Sequence, residues 1–369
     1  MPKPVNGSWL KRYGMDAGAA FVLLAACVYA ALKPIWDWDI IPYVALAMHL
    51  QGLDWSGAHA GVYGWVATLP EVWRDDLMSR EFYRAAVAAD GESLRQVSVF
   101  YQARIGYYGL LAGLNGVGLT MDMAVHLLNL IGQLVLGVTL WLWVRPFATG
   151  TPWRMAGWLV FFTFLMFNPT VMKLARWSSP DGLVAALYVL GVYGAIIQKH
   201  RWWTLAWLAM VLLRPNTALW LMPLLVWAGF QARACVIPLA IATGTGLMLQ
   251  TLLPNYPLAV LWQHTFGFPY AYPAGVRLEW GWDVYQTTWW NRISHLHGRD
   301  LIVWGTMVGS VAWVWFRQSP HLLLAIAVVV GGCLQLLMFP AFWERYFAGL
   351  CLVVLMLAVT VPPCRTPAR

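Results

Sequence analysis

Apolar runs about the length of a membrane-crossing helix recur along this chain, and that recurrence limits the fold more than any single motif. The first runs from Ala17 to Ile35, and others lie near residues 122–144, 153–171, 181–198, 202–213, 216–230, 235–253, 301–317, 321–339 and 345–361. Hydrophobic residues make up 60% of the chain and charged residues 11%, outside the usual composition of soluble domains. The expected fold is all-α, a polytopic transmembrane bundle of about 10–11 spans. Ala17–Ile35 is too long for a signal-peptide core and lacks a small-residue cleavage site, so it is expected to remain as an anchor. The net charge of +8 reads as a topology signal in short loops, not as a nucleic-acid footprint. Cys27, Cys235, Cys333 and Cys351 sit in apolar runs and Cys364 in the tail, so no disulfide framework is implied.

A glycine-rich stretch, residues 105–119, is apolar but short. If it does not cross, one side of the membrane holds Lys3, Lys11, Arg12, Arg145, Arg154, Lys199, Arg201, Arg233, Arg317, Arg365 and Arg369, and every acidic residue beyond Asp16 falls on the other. Basic residues accumulate on the cytoplasmic side. The expected arrangement therefore has both termini cytoplasmic and residues 105–119 re-entrant or on the outer surface. Residues 1–369 form one membrane domain with two large outer loops: 36–104, with helices along the interface, and 254–300, dense in aromatic rings.

Four cations break this partition: Lys173, Arg176, Arg214 and Arg345 lie on the outer side close to helix ends. Charge at membrane depth is costly and usually functional. Asp181 and Glu344 are nearby partners, and plain salt bridging is the competing reading for each cation. Several guanidinium and ammonium groups together suit a phosphate, and at a membrane surface that points to a lipid phosphate. On the same face the stretch WDWDIIPY carries Asp37 and Asp39. A carboxylate there could take a hydroxyl proton while cations stabilise a departing phosphate.

Asp39, Tyr43, Val44 and Ala45 just after the first apolar run, with SSPDGL (178–183), LRPNTALW (213–220) and WERYFAGL (343–350), resemble the GT-C superfamily of polytopic membrane glycosyltransferases, in particular its bacterial mannosyltransferase-like members. The resemblance implies inverting transfer from a polyprenyl-phosphate sugar to a hydroxyl of a glycan, lipid or protein acceptor. It implies Asp39 as general base, Asp37 in reserve, and Arg345, Arg214, Arg176 and Lys173 as ligands of the donor phosphate. Tyr43, Asp181, Glu344 and Arg277 are further substrate-binding candidates. No acidic pair stands at Asp39, because Ile40 follows it, and no soluble C-terminal domain is evident.

His295 and His297 have a spacing that could ligate a metal, but nothing nearby completes the set. No cofactor is implied, and a divalent metal is left open. Gly244 and Gly246 lie within an apolar run and read as helix packing; no phosphate-binding nucleotide loop is present. The short basic loops fit a bacterial inner membrane with the site on the periplasmic side. A transporter or flippase for an anionic lipid or sugar phosphate is the alternative; it predicts internal repeats and midplane charges.

Overall fold

The computed structural model describes residues 6–279 and 281–360. Lys3, Arg365, Arg369 and Cys364 lie outside the described residues, as do the side chains of Lys11, Arg12 and Arg201. The described residues form nineteen α-helices and no strand beyond an isolated bridge between Ile35 and Trp177. In order they are α1 (Asn6–Leu32), α2 (Ile40–Leu50), α3 (Trp55–Val66), α4 (Glu71–Met78), α5 (Phe82–Ala89), α6 (Gly91–Ser98) and α7 (Ile105–Gly116). Then follow α8 (Met121–Val144), α9 (Pro152–Met166), α10 (Pro169–Arg176), α11 (Asp181–Ile196), α12 (His200–Leu213), α13 (Ala218–Gln231) and α14 (Val236–Leu252). The chain closes with α15 (Leu258–Phe266), α16 (Trp282–Ser294), α17 (Gly298–Phe316), α18 (Leu322–Met338) and α19 (Glu344–Val359).

Each of the ten apolar runs contains a helix, though several of these helices are short. Among the described residues three segments are long and apolar enough to cross a membrane, Tyr13–Leu32, Met121–Val144 and Arg233–Leu252, with the bent pair α9 and α10 a fourth if it is one span. The run at 153–171 is not one straight helix: α9 and α10 meet at a 51° bend. Pro169 cannot continue the hydrogen-bond ladder, and the Asn168 side chain accepts from the Thr170 amide to start the new helix. At 1.5 Å per residue, the 14 to 17 residues of α12, α13, α18 and α19 rise roughly 21 to 26 Å, short of the ~30 Å hydrocarbon layer. The breaks between α12 and α13 and between α18 and α19 lie at the end of the bundle where Arg214 and Arg345 sit. α7, with 12 residues, is too short to span alone and packs against α2 and α12.

The core is built around α11, which is apolar on all sides and buried along most of its length, as a helix surrounded by others must be. It contacts α8, α12, α10 and α19. Small residues set the closest approaches: a Cβ on Gly132 of α8 would lie 3.0 Å from the Leu183 amide nitrogen, and one on Gly349 of α19 would lie 3.0 Å from the Ala185 Cα. Close backbone contact of this kind suits an environment in which apolar burial alone does not drive helices together.

The first large loop folds into α2–α6. α2 does not lie on the surface: Ile40 to Ala47 are all buried, so this segment belongs to the core. By contrast α1, α9, α13, α14 and α17 carry large exposed apolar side chains, among them Phe21, Phe164, Phe230, Ile237 and Phe316, an outer surface suited to lipid.

Candidate functional site

The ends of α1, α10, α12, α14 and α18 and the starts of α2, α11, α13 and α19 converge at one end of the bundle. The segment between α1 and α2 is stitched to the one between α10 and α11. Ile35 donates to the Arg176 carbonyl at 2.8 Å, Ser178 donates back to the Ile35 carbonyl at 3.0 Å, and the Asp37 amide donates to Ser178 Oγ at 2.7 Å.

Each charged residue owes its place to a helix boundary. Asp39 is the residue before α2 and Asp181 opens α11, where the positive end of the dipole favours a carboxylate. Arg214 sits in the break between α12 and α13 with an extended backbone, φ −153° and ψ 88°, as expected of a residue before a proline. Arg345 lies in the first turn of α19.

Arg345 is the hub. Its Nη1 donates to Asp37 Oδ2 at 2.8 Å, Nη2 lies 3.6 Å from Asp39 Oδ2 and Nε 3.4 Å from Asp181 Oδ2. The guanidinium carbon is 5.0 to 5.2 Å from the ring centres of Trp177, Trp343 and Tyr346. Arg214 pairs with Asp181 and stacks on Tyr346, 3.9 Å from its centre. Asp37 is also held by Trp177 Nε1 at 2.6 Å. Burial, with Asp39 adding to it, raises the Asp37 carboxyl above its ordinary range despite these donors. Asp39 accepts from the Tyr101 hydroxyl at 2.7 Å through Oδ1.

A cavity of about 230 Å³ opens beside this cluster. Asp39, Arg214 and Arg345 all line it, together with Arg104, Tyr101, His264, Asn216, Gln250 and Gln335, and with Leu219, Leu258, Leu261, Met338 and Phe339 as an apolar flank. A second cavity of about 790 Å³, lined by Lys173, Trp177, Arg299, Asp300 and Glu344, lies on the other side of Trp343 and Arg345, which border both.

The other sequence candidates fall elsewhere. Arg176 is turned away: it donates to the Lys33 carbonyl and lies over Tyr29. Lys173 pairs with Glu344 at 2.9 Å and faces the second cavity. Asp37 and Asp181 back the site without lining the first cavity. Tyr43 is buried behind it and accepts a hydrogen bond from Arg104. Arg277 is exposed in the second loop and lines neither cavity. Among the described residues no group of three or more His, Cys, Asp or Glu side chains is arranged to hold a metal ion.

Sequence reasoning passed over Arg104, Tyr101, Trp177, Trp343 and His264. For Arg104 the signal was present: it is a cation in the segment expected on the outer side, immediately before an apolar stretch, the criterion that singled out Arg214 and Arg345. Burial opposes its charge, but Tyr43, Tyr101 and Asp39 beside it keep the guanidinium protonated, above its ordinary value.

No family model, curated protein or solved structure matches this chain.

Proposed function

We propose that the chain is a membrane glycosyltransferase of GT-C type, moving a sugar from a polyprenyl-phosphate donor to a hydroxyl acceptor with inversion. One observation carries the reading: Asp39, Arg214 and Arg345, distant in sequence, line a single cavity that also has an apolar flank. In this scheme the acceptor oxygen attacks the anomeric carbon as its proton passes to Asp39, and the bond from that carbon to the phosphate oxygen breaks. The polyprenyl phosphate leaves with its negative charge held by the cavity's cations. Tyr101 and Arg345 orient the Asp39 carboxylate. Asp37, fully engaged by Trp177 and Arg345, is the poorer base.

The basic helix ends at Arg145, Arg154, Lys199, Arg233 and Arg317 lie opposite the cavity when successive spans alternate, which supports a periplasmic site and cytoplasmic termini in an inner membrane. The gathering of charge at one end of the bundle favours chemistry at the surface over passage through the membrane.

The reading is tested by sugar transfer in membranes containing the protein and labelled polyprenyl-phosphate hexoses. Asp39→Asn is expected to lower turnover by about 10²–10⁴-fold while donor binding persists. A fully active Asn variant would remove Asp39 from the role.

A further inference from the structure

The three guanidinium groups at the cavity differ in what they still have to offer a ligand. All three nitrogens of Arg345 already face carboxylates, those of Asp37, Asp39 and Asp181. Arg214 is closed on Asp181 and Asn216, with Tyr346 against its face. Arg104 is different: among the described residues no carboxylate oxygen lies within the 4.0 Å of an ion pair. It donates to the neutral Tyr43 hydroxyl and sits over the rings of Tyr43 and Tyr101, at 5.5 and 4.9 Å from their centres.

Charge balance points the same way. Arg345 and Arg214 stand among three carboxylates, Asp37, Asp39 and Asp181, which leaves a surplus negative charge beside the cavity. A phosphate placed there would be repelled unless another cation met it. Two neutral donors belong to residues that also line the cavity. Gln250 Nε2 is buried without a hydrogen-bond partner. His264 accepts the Tyr270 amide through Nδ1 at 3.0 Å, so in its neutral form the proton is on Nε2.

We propose that Arg104 is the anion anchor of the cavity. Its guanidinium binds the phosphate oxygens of a prenyl phosphate, with Gln250 and His264 as supporting donors, while Arg345 and Arg214 hold the aspartates in place. This rests on the lipid-phosphate reading above and reassigns which cation meets the ligand.

The experiment compares binding of farnesyl monophosphate and farnesol to the full chain in detergent, followed by tryptophan fluorescence, with inorganic phosphate as competitor. The wild type is expected to prefer the phosphate by about tenfold or more, a charge-assisted contact of ordinary strength. Arg104→Ala should reduce that preference to within about twofold, and Arg104→Lys, which keeps the charge and loses the fork, should fall between. Arg104→Ala retaining the full preference with Arg345→Ala losing it would overturn the assignment and leave the lipid-phosphate reading standing. A wild type that binds the alcohol as well as the phosphate would sink both. Inorganic phosphate competing as tightly as farnesyl phosphate would show a free-anion site and overturn the lipid source.

Discussion

Tyr101 and Arg345 divide the Asp39 carboxylate between them, a hydroxyl on one oxygen and a guanidinium edge 3.6 Å from the other, so this carboxylate is aimed by two elements far apart in sequence. His264 on the cavity wall gives this region a measurable pH response. Burial pushes its imidazole from an ordinary 6.5 down to about 4, so as pH falls the unfolded chain takes up this proton first. Stability from this group is therefore complete above pH ~6.5 and declines as pH drops toward ~4. The shift corresponds to at most about 3 kcal/mol, less for a ring that solvent partly reaches. The thermal midpoint of the wild type should fall more steeply between pH 6.5 and 4 than that of His264→Phe, which keeps the ring packing against Phe100 and Tyr83; parallel profiles would refute the assignment. Residues of this kind were only partly legible in the sequence. Asp39, Arg214 and Arg345 announced themselves as charges beside apolar runs. The direction in which a side chain leaves a helix end did not, and so Arg176 was grouped with residues from which its Lys33 contact separates it.

Helix placement was legible because apolar runs have no other stable form in lipid, whereas not every helix end was, because Pro169 breaks a ladder that hydropathy reads as continuous across 153–171. The short stretch 105–119 became the packed helix α7, and α2, part of the loop expected to hold interfacial helices, became core; its burial comes from α3, α6 and α7, whose folding back over it no local pattern announces. The packing of α11 against α19 gives an element-scale test. Any side chain on Gly349 meets the Ala185 backbone, which cannot move aside as a flexible chain would. Gly349→Val should cost about 1–3 kcal/mol or more and, by pushing the start of α19 outward, loosen Arg345 from Asp181. Gly109→Ala on α7 meets nothing within 4 Å and should be neutral or stabilising by up to about 1 kcal/mol. Denaturation in detergent micelles compares the two; equal effects would mean that this close approach does not limit packing.

For the molecule as a whole, the distribution of charge implies an orientation. Asp16 pairs with Arg145 at 2.6 Å at the end of α8, and Tyr193 of α11 reaches the Leu142 carbonyl at 3.2 Å, so this end of the bundle is defined by the start of α1 and the ends of α8 and α11. The cavity lies at the other end, lined in part by Phe100, Tyr101 and Arg104 of the first large loop. If basic residues stay with the cytoplasm, the cavity end faces outward. Single cysteines report this directly: Ser79 and Thr149 are both exposed, the first in the α4–α5 loop at the cavity end, the second between α8 and α9 at the opposite end. In spheroplasts, Ser79→Cys should react with a membrane-impermeant maleimide, and Thr149→Cys only after permeabilisation. Parallel single-site controls account for the native Cys333, which is exposed on α18. Labelling in the reverse order would put Asp39 and Arg104 on the cytoplasmic side, where any prenyl-phosphate sugar would have to be presented from the inner leaflet, and the proposed direction of transfer would fail even if the chemistry at Asp39 survived.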